Sequence, residues 1–136
     1  MTDPAIDRPN RAVGGARLLS AEPQLYVGDI RASCEFFTRK LGFAVAFLYG
    51  DPPFYGQLRR DEARINIRHV DRPVFPEGLR EREDLLSAAI HTEDVERLYE
   101  EFREAGVAFH QALRTEPWGA RTFIVKDPDG NLLLFA

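Results

Sequence analysis

Hydrophobic and polar positions along this chain fall into two kinds of pattern, one of period 2 and one near period 3.6, and the order in which they occur is run through twice. Residues 24–27 are strand-like; Gly28-Asp29 then breaks the strand and offers Asp29 as the N-cap of a helix over residues 30–41. Ile30, Cys34, Phe37 and Leu41 recur at near-helical spacing and predict its buried stripe, while Arg31, Glu35, Arg39 and Lys40 face water. Gly42 ends the helix, and residues 43–49, rich in Phe, Val and Tyr, predict a strand. After Gly50-Asp51-Pro52-Pro53, which must be a loop, residues 55–60 and 64–69 form a hairpin about Asp61-Glu62. In its second arm Ile65, Ile67 and His69 point one way, Asn66 and Arg68 the other.

The second pass begins at residue 85. Residues 85–92 predict a strand, and residues 94–105 a helix whose Val95, Leu98, Tyr99, Phe102 and Ala105 make one apolar face. Gly106 stops that helix, residues 107–113 predict another strand, and residues 122–126 and 132–135 flank the turn Asp127-Pro128-Asp129-Gly130. Asp29 superposes on Asp94, Phe37 on Phe102 and, after a one-residue contraction, Gly42 on Gly106. Each pass is strand, helix, then three strands, and such a unit cannot cover both faces of its own small sheet. The expected fold is therefore α+β: two βαβββ modules, about residues 21–70 and 85–136 of a single domain, forming a curved eight-stranded sheet with a concave cleft. Residues 70–84 form the connection between them, and residues 1–20, with Pro4, Pro9, Gly14 and Gly15 and little periodicity, are expected to be a flexible tail.

Composition narrows the classes of function. With 44% hydrophobic and 29% charged residues the chain suits a soluble globular domain, and it has no apolar run of the length a membrane span needs. The net charge of -4 gives nucleic acid no attraction and a cationic small molecule a mild one. A single cysteine, Cys34, agrees with a reducing compartment, so a cytoplasmic location is expected. No Gly-rich phosphate loop or nucleophile elbow is present, Cys34 lies on an apolar helical stripe, and Glu100 and Glu101 lie on a solvated helix flank. Trp118 stands between Pro117 and Gly119, a poor place to bury an indole and a good one to offer its face to a ligand.

The doubled pattern, the stretch LYVGDIRASCEFFTRKLGF and the closing PWG…F.V.DPDGN hairpin together resemble the vicinal oxygen chelate superfamily, the glyoxalase, bleomycin-resistance and dioxygenase group, over about residues 22–135. The resemblance implies four metal-ligand positions on the inner face, which fall here on Glu22, Asn66, Ser87 and Leu134. Leu134 has no lone pair and Ser87 is a weak neutral donor, so no metal and no other cofactor is expected. The nearest branch is then the metal-free bleomycin-resistance type, which sequesters a planar or cationic compound such as an antibiotic rather than transforming it. The expected ligand-binding residues are Trp118, Tyr26, Phe47, Tyr49, Phe54 and Tyr55, with Asn66, Arg68 and Glu22 on the same inner face. The resemblance also implies a homodimer with exchanged strands or arms, for which the connection over residues 70–84 is suited. The alternative is a metal-dependent lyase, isomerase or dioxygenase with a displaced ligand set such as Glu22 and His91. His91 shares a parity with Ser87 and would border the cleft, although a lone imidazole without convergent partners is not a site.

Overall fold

Two aspartates begin the two long helices, as their positions before an apolar stripe require. Asp29 Oδ1 accepts from Arg31 N at 2.9 Å and Ala32 N at 3.2 Å, and Asp94 Oδ1 accepts from Arg97 N at 3.1 Å, so each cap satisfies backbone donors that the helix itself cannot. The helices stop at Gly42 and Gly106, with φ of +73° and +76°, a conformation that favours glycine. The computed structural model describes residues 14–136; of the expected tail, residues 1–13 lie outside the described residues.

In chain order the elements are β1 (Gln24–Val27), α1 (Ile30–Lys40), β2 (Ala44–Tyr49), β3 (Tyr55–Arg60), β4 (Ala63–His69), α2 (Leu79–Arg82), β5 (Leu86–Ile90), α3 (Val95–Glu104), β6 (Phe109–Thr115), β7 (Arg121–Lys126) and β8 (Leu132–Phe135). The α+β class and the doubled order are as expected. The eight strands, however, hydrogen-bond as two four-stranded sheets, in the orders β1-β4-β3-β2 and β5-β8-β7-β6. Each has one parallel pair, β1 with β4 and β5 with β8, and antiparallel pairs otherwise. The sixth strand begins two residues later than its pattern suggests, and the connection over residues 70–84 contains α2.

One core runs through both halves. Leu25, Val27, Phe37, Leu41, Leu58, Ile65 and Ile67 from the first half meet Val95, Phe102, Phe123, Val125, Leu133 and Phe135 from the second. The second half is rich in rings: Phe123 stacks on Phe135 with centroids 5.2 Å apart, and Phe102 meets both edge-on at 5.9 and 5.2 Å. Such pairs add about 0.5–1.5 kcal/mol each beyond their buried area. On the helix side Lys40 Nζ donates to Ala105 O at 2.8 Å, and Arg60 donates twice to Glu101, at 2.6 and 3.1 Å. Glu101 is therefore a link between the halves, where the sequence suggested only a solvated flank.

The connection between the halves docks on the second one. Arg80 donates to Asn131 Oδ1 and, at 3.1 Å, to Asp129 O; Glu81 pairs with Lys126; and Asp84 meets His110 Nε2 at 2.7 Å. These contacts roof one end of the inner face of the β5–β8 sheet.

Candidate functional site

Register decides which side chains share a face. Across the β1–β4 sheet, Tyr26 lies opposite Arg68, Arg68 opposite Tyr55 and Tyr55 opposite Tyr49; in the next row Gln24 lies opposite Asn66, Asn66 opposite Gln57 and Gln57 opposite Phe47. Side chains in register point the same way, so both rows stand on the face turned from the core, where Leu25, Ile65 and Ile67 are buried on the other side. A bulge between Val45 and Phe47 keeps both Phe47 and Tyr49 on this face.

The structure thus brings together most of the residues singled out from the sequence. Tyr26, Phe47, Tyr49 and Phe54 are all exposed, Tyr49 by 67%, and Tyr55 is half-buried. Phe47 and Tyr55 lie 6.1 Å apart at 30°, and Phe54, on the β2–β3 loop, meets Tyr49 edge-on at 5.6 Å. At the other end of the face Glu22 Oε1 accepts from Gln57 Nε2 at 3.2 Å and from Asn66 Nδ2 at 3.3 Å, while Gln57 Nε2 also donates to Asn66 Oδ1 at 2.9 Å. Arg68 is exposed between Tyr26 and Tyr55. Aromatic rings beside one carboxylate and one guanidinium form a surface that can stack on a planar group and pair with either charge.

Trp118 is elsewhere. It lies on the β6–β7 loop of the second half, 74% exposed, where Gly119 N donates to Glu116 O at 2.8 Å and Glu116 N to Ala120 O at 2.7 Å. Its indole is outside the core, as its setting between Pro117 and Gly119 implied. Beside it stands a polar network that the sequence did not reveal. Glu116 is buried and accepts from Thr122 Oγ1 at 2.8 Å and Arg114 Nε at 2.9 Å, and Gln111 Nε2 donates to Thr122 Oγ1 at 3.1 Å. The bond from Arg114, then that from Thr122, holds the Glu116 carboxyl below the usual carboxylate range. Register shifts between Phe109 and Gln111 and between Gln111 and Arg114 break the parity of β6, so simple alternation could not have placed these side chains together. The available signal was Thr122 within the apolar run of β7.

The four positions that the resemblance assigns to metal ligands do not fit a metal. Glu22 and Asn66 are engaged with Gln57, Ser87 Oγ donates to Asn131 Oδ1 at 3.2 Å, and Leu134 has no donor atom. Among the described residues no group of three or more His, Cys, Asp and Glu side chains could hold a metal ion. His91 follows the end of β5, where strand parity no longer applies, and lines a groove of about 710 Å³ between the halves, with Arg60, Arg97 and Leu98. The alternative pair of Glu22 and His91 is thereby split between two surfaces. His69 is half-buried and meets Asp71 at 3.0 Å, and the half-buried Cys34 has its thiol pushed up chiefly by burial, as a packing residue would.

Comparison with known proteins adds to this geometry. The model of the Glyoxalase/Bleomycin resistance protein/Dioxygenase superfamily matches residues 17–135. A bleomycin resistance protein of Geobacillus stearothermophilus is 30% identical over 129 residues, covering 87% of this chain and 96% of that protein. The structure of the bleomycin-binding protein from bleomycin-producing Streptomyces verticillus, complexed with copper(II)-bleomycin, superposes with a TM-score of 0.69 at 26% identity, covering 90% of this chain and 98% of that one. A glyoxalase-related enzyme from Clostridium phytofermentans superposes with a TM-score of 0.70 at 19% identity over 89% of this chain and 95% of its own, a likeness of fold alone.

Proposed function

The chain belongs to the glyoxalase/bleomycin resistance protein/dioxygenase superfamily, and we propose that within it the protein binds and sequesters a planar or cationic antibiotic of the bleomycin kind, without a metal of its own. The observation that carries this reading is the open inner face of the first sheet, where Tyr26, Phe47, Tyr49, Phe54 and Tyr55 gather beside Glu22, Asn66 and Arg68. Exposed aromatic surface is unfavourable in water unless a partner or ligand covers it. Rings stack on a heteroaromatic ligand at little entropic cost, and Glu22 pairs with a cationic substituent. Trp118 supplies a further platform, worth about 0.5–2 kcal/mol against a planar or cationic group.

The working unit is a homodimer. Every residue of β2 is exposed, Val45 and Leu48 on the side away from the aromatic row, and β2 is an edge strand, the kind of apolar edge that proteins cover. Leu18 and Leu19, 93% and 86% exposed on the segment ahead of β1, support an arm that packs on the second copy. A second copy over the open face turns two half-lined surfaces into closed clefts. The single cysteine supports a cytoplasmic location.

Calorimetric titration with copper-free and with copper(II)-bleomycin, followed by mass spectrometry of the released ligand, tests the reading. Saturable binding with the ligand recovered unchanged is expected. Absence of binding to either form, or chemical alteration of the ligand, would overturn it. Sedimentation at micromolar concentration is expected to give a dimer, and a monomer there would refute the covered-face argument.

A further inference from the structure

The first sheet's ligand face hangs on a weak strand. β1 has only four residues, lies at the sheet edge and pairs with β4 alone in a parallel ladder, the slightly less stable kind. It nevertheless carries Tyr26. Its last residue is held within the first half by Val70 N, which donates to Val27 O at 2.9 Å, and the other half of the chain adds two bonds: Asn131 Nδ2 donates to Tyr26 O at 3.2 Å, and Gly28 N donates to Asp129 Oδ1 at 2.8 Å. Both gripping residues belong to the β7–β8 turn.

That turn is itself rigidly held. Asn131 Nδ2 donates to Asp127 Oδ2 at 2.9 Å as well as to Tyr26 O, and its Oδ1 accepts from Arg80 and Ser87, so both amide hydrogens and both lone pairs are in use and the amide can sit only one way round. Asp127 Oδ1 accepts from Asp129 N at 2.9 Å and Asn131 N at 2.7 Å, and Arg80 braces Asp129 O. The corresponding turn of the first half, Asp61-Glu62, fills nothing comparable: opposite the start of α3 it leaves the groove lined by Arg60, His91 and Arg97. One of the two related joints is locked and the other is open, and the locked one lies at the end of β1.

We infer that Asn131 and Asp129 are positioning residues for ligand recognition: from the second half they fix the end of β1, and through it hold Tyr26 in place on the ligand face of the first. This rests on the binding reading above, because it is the bound antibiotic that makes the placement of Tyr26 matter. The order of β1 is a property of the free protein and can be read without any ligand.

The test combines both readouts on Asn131→Ala, Asp129→Ala and Asp129→Asn, the last of which keeps an acceptor oxygen for Gly28. In the ligand-free protein, amide order parameters at Leu25, Tyr26 and Val27 are expected to fall from about 0.85 toward 0.6 in both alanine variants and to stay native in Asp129→Asn. Bleomycin affinity, measured where each variant is fully folded, is expected to weaken about tenfold in Asn131→Ala, several-fold in Asp129→Ala, and less than about twofold in Asp129→Asn. Should Asn131→Ala fail to fold, Asp129→Ala, which loses only an exposed bond, carries the test. Native order parameters in the alanine variants overturn the inference, as does native affinity in a variant whose β1 has loosened. If the native protein binds no bleomycin, the functional reading fails, and the order parameters alone decide whether the turn holds β1.

Discussion

The two halves of this chain share a plan and differ in what they do with the face turned from the core. In the second half, β7 buries Thr122, Phe123, Ile124 and Val125 in succession and β8 buries Leu132, Leu133 and Phe135, so both faces of these strands are covered; the docked connection with α2 roofs one end. In the first half, β4 buries Ile65 and Ile67 but not Asn66 or Arg68, and β2 is exposed throughout. The helix caps and the helix-stopping glycines are nearly the same in both. The difference therefore lies beyond the repeated elements: a loop of some fifteen residues roofs one end of one inner face, and among the described residues nothing covers the other. The half that is closed supplies rigidity, and the half that is open supplies a surface.

The strongest way to break that contrast is to truncate one ring from each side. Phe123→Ala, in the ring cluster of the second half, should cost about 3–5 kcal/mol in urea unfolding, whereas Phe47→Ala on the open face should cost less than about 1. Equal losses would mean that the open face is packed. Next in size is a pH effect centred on the turn. Burial pushes the Asp127 carboxyl up to about 6, against the opposing pull of the donors on Asn131 and Asp129. The folded protein then holds this proton more tightly than the unfolded chain, so the contribution of Asp127 to stability falls as pH rises between about 4 and 6, by at most about 3 kcal/mol. Asp127→Asn does not titrate and should lack that fall, and parallel stability profiles for the two proteins from pH 4 to 7 would refute it.

Smaller effects sharpen the comparison. Trp118→Ala should leave unfolding nearly unchanged, since the indole is exposed, while weakening bleomycin binding about twofold to thirtyfold. A large loss of stability with native binding would remove Trp118 from the site. Asp29→Ala and Asp94→Ala should each cost about 1 kcal/mol without altering affinity, because both are caps in equivalent places; unequal costs would show that the halves differ in their helices as well as their faces.

What the sequence revealed was local. The caps at Asp29 and Asp94, the stops at Gly42 and Gly106, and the alternation of Ile65 and Ile67 with Asn66 and Arg68 each depend on neighbours within a few residues, and period and turn chemistry suffice to read them. Tyr26 was legible for the same reason, because it lies in a regular strand, whereas Phe47 and Tyr49 owe their place to the bulge in β2. Glu116 with Arg114, Thr122 and Gln111 was not legible, since two register shifts in β6 break the parity on which such readings depend. Nor were Arg60 with Glu101 or Asn131 with Tyr26, which join residues 41 and 105 positions apart and leave no periodic trace. That the two small sheets do not hydrogen-bond to each other was hidden too, because strand patterns specify faces and not which edges meet.

The central claim is that the uncovered face of the first sheet is where the ligand binds. Titration of the native protein and of a Phe47→Ala/Tyr49→Ala double variant with bleomycin, by calorimetry and with unfolding measured in parallel, tests it most directly. The expected result is saturable binding to the native protein, an affinity at least about tenfold weaker in the variant, and stabilities within about 1 kcal/mol of one another. A variant that binds bleomycin as tightly as the native protein would contradict the claim.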